Sequence, residues 1–95
     1  MSLQMMIARK FFIRGEVQGV GFRYFTQRSA ARHQVSGYVK NLPDGRVETF
    51  VQGPERSVEA FKHDLNAGPS HSRVEELEEI VSEPNRTYST FRIER

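Results

Sequence analysis

A chain of 95 residues with 37% hydrophobic and 27% charged residues has the balance of one soluble globular domain and excludes a disordered polymer. It holds no cysteine, which removes disulfides, thiolate metal sites and a phosphocysteine intermediate. Its apolar runs are too short to span a bilayer, and no charged-then-apolar leader pattern opens it, so the expectation is a cytoplasmic monomer with no membrane partner. The net charge of +2 hides an asymmetry. Residues 1–40 carry seven basic residues against the single acidic Glu16, a net of +6, and the remainder carries seven against eleven, a net of −4.

Residues 1–6 read as a loose start outside the fold. A strand is expected over 7–14, with Phe11 and Ile13 on one face and Lys10, Phe12 and Arg14 on the other, at period two. A glycine-rich turn follows. The spacing then predicts a helix over 22–33, with Phe22, Phe25, Thr26, Ser29 and Ala30 on one face and Arg28 and Arg32 pointing away. A second strand is expected over 35–41, placing Val35, Gly37, Val39 and Asn41 on one side. Leu42-Pro43-Asp44-Gly45 is a turn signal, because proline fixes one backbone angle and Asp-Gly tolerates positive φ. A third strand over 46–52 then runs antiparallel to the second.

Gly53-Pro54 is expected to open a second helix, with proline in its first turn and Val58, Phe61 and Leu65 as its buried stripe. Gly68-Pro69 stops it. The segment 73–81 reads two ways. Val74, Leu77 and Val81 follow helical spacing among glutamates, whereas Leu77, Glu79 and Val81 also alternate as in a strand; periodicity by itself favours the helix. Phe91 and Ile93 suggest a short last strand. There are no repeats, linkers or low-complexity tracts.

The segment Gly15-Glu16-Val17-Gln18-Gly19-Val20-Gly21-Phe22-Arg23 carries the most chemistry. It ends a strand, holds three glycines in seven positions and opens a helix. Glycine lets the backbone turn so that successive N–H groups converge, and the first helical turn adds unpaired donors and a partial positive charge. Arg23 then stands where its fork of donors matches a pair of phosphate oxygens. The pattern reads either as an anion cup or as a tight strand-to-helix turn with one solvated arginine. The basic first half would steer a small anion toward the cup. Nucleic acid is disfavoured as a partner, because most aromatics alternate into core positions instead of interleaving with the cations.

Other constellations are weak. His33, His63 and His71 show no metal-ligand spacing; His33 belongs at the first helix's C-terminus or packing edge, and the other two in solvent. The run Glu75, Glu76, Glu78 and Glu79 reads as a solvated face. No lysine follows the glycine loop in the manner of a nucleotide P-loop.

The loop's wording closely resembles the signature of the acylphosphatases. Gly37-Tyr38-Val39-Lys40-Asn41, with Asp44-Gly45-Arg46-Val47-Glu48 and Val51-Gln52-Gly53, is similar to that family's second signature, and Gly68-Pro69 with Arg73-Val74 is a weaker echo. Tyr38 stands where a tryptophan is common, and Gly21 where some members have cysteine. The resemblance runs from about Ile7 to the C-terminus and implies a strand over 73–81. The element order is then βαββαβ plus a small extra strand: a ferredoxin-like α/β sandwich, an antiparallel sheet with two helices on one face. That fold serves many functions, so the site decides.

The resemblance implies catalytic roles for Arg23 and Asn41, with Gly15, Glu16, Val17, Gln18, Gly19, Val20, Gly21 and Phe22 as the phosphate-binding loop. Spacing alone would make Asn41 a strand-end residue before a turn. An anion cup, one arginine and one asparagine suffice for a particular leaving group. An acyl phosphate expels a carboxylate whose conjugate acid has a pKa of about 4, so it leaves without an acid, metal or cofactor. The expected activity is hydrolysis of acyl phosphates to carboxylate and inorganic phosphate, the latter also a competitive inhibitor. A non-catalytic phosphate-binding module and an RNA-binding domain of the same topology are the alternatives. Arg23 with Asn41 favours the enzyme over the first, and the missing aromatic strand signature disfavours the second.

Overall fold

The computed structural model describes residues 5–95. Seven elements follow in order: β1 (Met6–Glu16), α1 (Phe22–His33), β2 (Ser36–Asn41), β3 (Val47–Pro54), α2 (Glu55–Ala67), β4 (Arg73–Ser82) and β5 (Phe91–Glu94). The five strands form one sheet in the order β4-β1-β3-β2-β5. Its first three neighbouring pairs are antiparallel, whereas β5 lies parallel to β2, so the sheet is mixed and not antiparallel throughout. Both helices pack on one face, as the ferredoxin-like reading requires.

The core follows from side-chain period. Phe11 and Ile13 of β1, Val39 of β2, and Val47 and Val51 of β3 point to the helical face. There they meet Phe22 and Ala30 of α1 and Val58, Phe61 and Leu65 of α2, all buried. The two helices are also tied by Asp64 of α2. It accepts hydrogen bonds from Ser29 Oγ at 2.7 Å and Arg32 Nη2 at 2.7 Å, and lies 3.0 Å from His33 Nε2. Burial opposes ionisation of Asp64, but these three partners outweigh it and hold the carboxyl below the usual range. His33 therefore works at the helix packing edge, where the sequence placed it.

Several boundaries differ from the sequence reading. Strand β1 already includes Met6, paired with Pro54, so of the expected loose start 1–6, Met6 belongs to the sheet. Residues 1–4 lie outside the described residues. Pro54 ends β3 at φ −59 and ψ 146 and sits at the N-cap of α2, one position before the first helical residue. Residues 73–82 form strand β4, as the resemblance implied and against the helical periodicity.

The open face of the sheet carries a second apolar cluster that the sequence reading did not assign. Ala8, Tyr38 and Phe50 are buried there under Tyr88 of the β4–β5 connection. Gln52 fastens that connection by accepting from the Asn85 N–H at 2.6 Å and donating to the carbonyls of Asn85 and Tyr88. Tyr38 donates to the Glu48 carboxylate, and burial together with that carboxylate holds its hydroxyl protonated well above the ordinary tyrosine range.

Candidate active site

The ends of β1 and β2, the turn between β1 and α1 and the start of α1 meet at one end of the sheet. Gly19 and Gly21 adopt φ +74 and +78, and Gly21 in the left-handed conformation is the N-cap of α1. No side chain caps this helix and no acidic residue sits in its first turn. The first-turn N–H groups thus keep their donors and their share of the helix dipole for something else. Phe22 anchors the helix start by burying its ring, and Val17 anchors the loop in the same way.

Between these elements lies a cleft of about 150 Å³, lined by Val17, Gly19, Gly21, Phe22, Arg23, Tyr24 and Asn41. Arg23, half-buried, donates from Nη1 to the Glu94 carbonyl of β5 at 3.4 Å. No carboxylate pairs with it among the described residues, whereas Arg9, Lys10, Arg14 and Arg32 of the basic first half all have acidic partners. Arg23, Arg28 and Lys40 are left without an acidic partner among the described residues, and of these three only Arg23 lines the cleft. Asn41, the last residue of β2, brings a carboxamide whose Oδ1 is buried without a hydrogen-bond partner. An acceptor in that state costs about 1–3 kcal/mol and favours any donor that reaches it.

The structure divides the nine-residue loop motif into two parts. Gly19, Gly21, Phe22 and Arg23 line the cleft together with Val17. Gly15, Glu16, Gln18 and Val20 do not line it, and each makes a structural contact instead. Gly15 sits at φ +137 beside a register shift between β1 and β4, where a Cβ would stand 2.1 Å from the Arg73 carbonyl oxygen. Glu16 faces Arg73 across β4 at 3.8 Å. Gln18 donates from Nε2 to the carbonyls of Leu42 and Arg46 at 2.8 and 2.9 Å. That clip fixes the loop to the turn leaving Asn41, and so sets the distance between cup and carboxamide. Val20 packs against the core.

These roles predict opposite phenotypes for two glycines. Gly15→Ala forces two backbones apart and is expected to cost about 3 kcal/mol or more, seen as a lowered Tm. Around Gly19 the space is open: no atom lies within 4 Å of the point a Cβ would occupy. Gly19→Val therefore meets only the left-handed backbone penalty, about 1–2 kcal/mol. It should fold cooperatively yet lose competition by inorganic phosphate. Unaltered phosphate inhibition in Gly19→Val would place the cup elsewhere.

Tyr24 lines the cleft but was absent from the sequence-derived site; its position directly after Arg23, off the buried stripe of α1, was the available signal. The histidines lie elsewhere, and no group of three or more His, Asp or Glu side chains among the described residues is arranged to hold a metal ion. A larger cavity, about 720 Å³, opens at the far end of the sheet between the end of α1 and the start of β2, with Arg28 as its one charged lining residue. Ser36, Ser89 and Thr90 bring hydroxyls to it, but no histidine or carboxylate lines it to activate them. On the open sheet face, Tyr38 and Phe50 are only 8% and 6% exposed, so they offer no stacking surface to bases. No helix among the described residues is long and apolar enough to cross a membrane.

Comparison with known proteins agrees with the motifs. The acylphosphatase family model matches residues 9–93. The acylphosphatase of Actinobacillus succinogenes is 46% identical over 90 residues, spanning 95% of this chain and 100% of that protein. The crystal structure of acylphosphatase from Bacillus subtilis superposes with a TM-score of 0.90 at 35% identity, covering 96% of this chain and 100% of that one. An acylphosphatase structure from Coxiella burnetii gives 0.91 at 29% identity, covering 99% and 100%. With both signatures, the sheet order and a glycine cleft that joins Arg23 to Asn41, the chain belongs to the acylphosphatase family.

Proposed function

We propose that this chain hydrolyses acyl phosphates, with Arg23 and Asn41 as its catalytic residues. The loop and first-turn N–H groups and the Arg23 guanidinium hold the phosphoryl oxygens and neutralise the charge that builds on them. Asn41 Oδ1 accepts a hydrogen bond from a water and holds it in line with the bond to be broken. Water oxygen bonds to phosphorus while the bond from phosphorus to the bridging oxygen breaks. The carboxylate departs with the bond's electron pair and needs no proton, and the water's proton passes to the phosphate. Positioning and charge stabilisation supply the rate; no general base is required of the protein. The observation that carries this reading is the unpartnered Asn41 Oδ1 in a residue lining the same cleft as the unpaired Arg23.

Inorganic phosphate, the product, carries the same oxygens into the same cup and is expected to compete. On this reading the protein acts as a cytoplasmic monomer on a small molecule, with neither nucleic acid nor membrane as partner. Hydrolysis of benzoyl phosphate with and without excess chelator tests it. The leaving group needs no Lewis acid, so the rate is expected to be the same in both arms. Activity abolished by chelator and restored by Mg²⁺ would refute the mechanism.

A further inference from the structure

We propose that Tyr24 determines acyl-group specificity, its ring being the surface on which the acyl part of the substrate lies. The inference rests on the hydrolase reading and extends it to substrate choice. A cleft of about 150 Å³ is smaller than the roughly 300–1,000 Å³ of sites that enclose a whole organic ligand. It accommodates the phosphoryl group and leaves the acyl group at its mouth. What the mouth offers there follows by elimination among the lining residues. Gly19 and Gly21 have no side chains, those of Val17 and Phe22 are buried in the core, and Arg23 and Asn41 are polar. Tyr24 remains, a large side chain with apolar surface that is 66% exposed. Its ring has no aromatic or hydrogen-bond partner among the described residues, and it follows Arg23 directly on the first turn of α1. A planar or extended apolar acyl group can cover this ring, and an acetyl group is too small to do so. Aromatic acyl phosphates should therefore be favoured over acetyl phosphate.

The test compares kcat/KM for benzoyl phosphate and acetyl phosphate in the wild type, Tyr24→Ala and Tyr24→Phe. The ratio favouring benzoyl phosphate should fall about tenfold in Tyr24→Ala, through KM more than kcat, and be retained in Tyr24→Phe, because the ring and not the hydroxyl makes the contact. Equal losses on both substrates, or an unaltered ratio, would overturn the proposal. Binding of phenacylphosphonate against acetonylphosphonate, both non-hydrolysable, gives a readout independent of turnover. A wild-type preference for the phenacyl compound that Tyr24→Ala removes upholds the role of Tyr24 even if hydrolysis fails. Hydrolysis of both acyl phosphates without such a preference overturns the role of Tyr24 and leaves the activity standing.

Discussion

Arg23→Ala is expected to lower turnover of benzoyl phosphate by roughly a thousandfold or more, the scale on which loss of a phosphoryl-stabilising arginine is felt. Arg23 is the cation of the cleft, and it is not matched by a carboxylate among the described residues. Its only hydrogen bond there, to the Glu94 carbonyl at 3.4 Å, is long and engages one of five donors. The remaining fork is free to take two phosphoryl oxygens side by side. Affinity for inorganic phosphate should fall along with turnover, because ground state and transition state share that contact. Arg23→Lys should rescue poorly, since an ammonium is a point charge without the planar fork. A lysine variant with nearly wild-type kcat would reduce Arg23 to a diffuse charge. Since Arg23 is only half-buried and its side chain makes that single long hydrogen bond among the described residues, Tm should move little, which separates loss of chemistry from loss of fold.

The part of the molecule that was legible in sequence is the part governed by local rules. The helix over 22–33 has the same limits in sequence and structure, because a glycine cap, a period of 3.6 and a left-handed residue at its end all act within a few positions. Strand β4 was not legible by pattern, for a physical reason. It is an edge strand, and of its ten residues only Val74 and Leu77 reach the core cluster. With so few inward side chains, alternation is too faint to read, and Val81, expected in the apolar set, is exposed. The glutamates that imitate a helix surface answer basic residues on neighbouring elements. Glu76 pairs with Arg14 at 2.9 Å, and Glu79 takes both Arg9 and Lys62 at 3.2 and 2.6 Å. The resemblance carried the assignment where periodicity did not. The same limit hid the parallel pairing of β5 and the cover that Tyr88 lays over Tyr38 and Phe50, since both depend on where a distant loop returns.

Asn41→Ala should separate chemistry from binding. The Asn41 carboxamide belongs to the last residue of β2, and the Gln18 clip on the Leu42 and Arg46 carbonyls holds the adjoining turn against the cup. If Oδ1 orients the attacking water, removing it takes away one preorganised contact to a reacting group, which typically costs on the order of a hundred- to a thousandfold in kcat. On the proposed mechanism phosphate is held by Arg23 and the loop, so its inhibition constant should change only slightly. Stability points the same way. Because Oδ1 is a buried acceptor without a partner, its deletion loses no hydrogen bond of the folded chain, and Tm should stay level or rise. A merely structural Asn41 gives the opposite pattern: a lowered Tm with activity per folded molecule preserved. A phosphate-binding module gives a third, in which the wild type binds phosphate and hydrolyses nothing. Measuring kcat, phosphate inhibition and Tm on this one variant beside the wild type therefore distinguishes a water-positioning residue from a strand-end asparagine, and an enzyme from a receptor for its product.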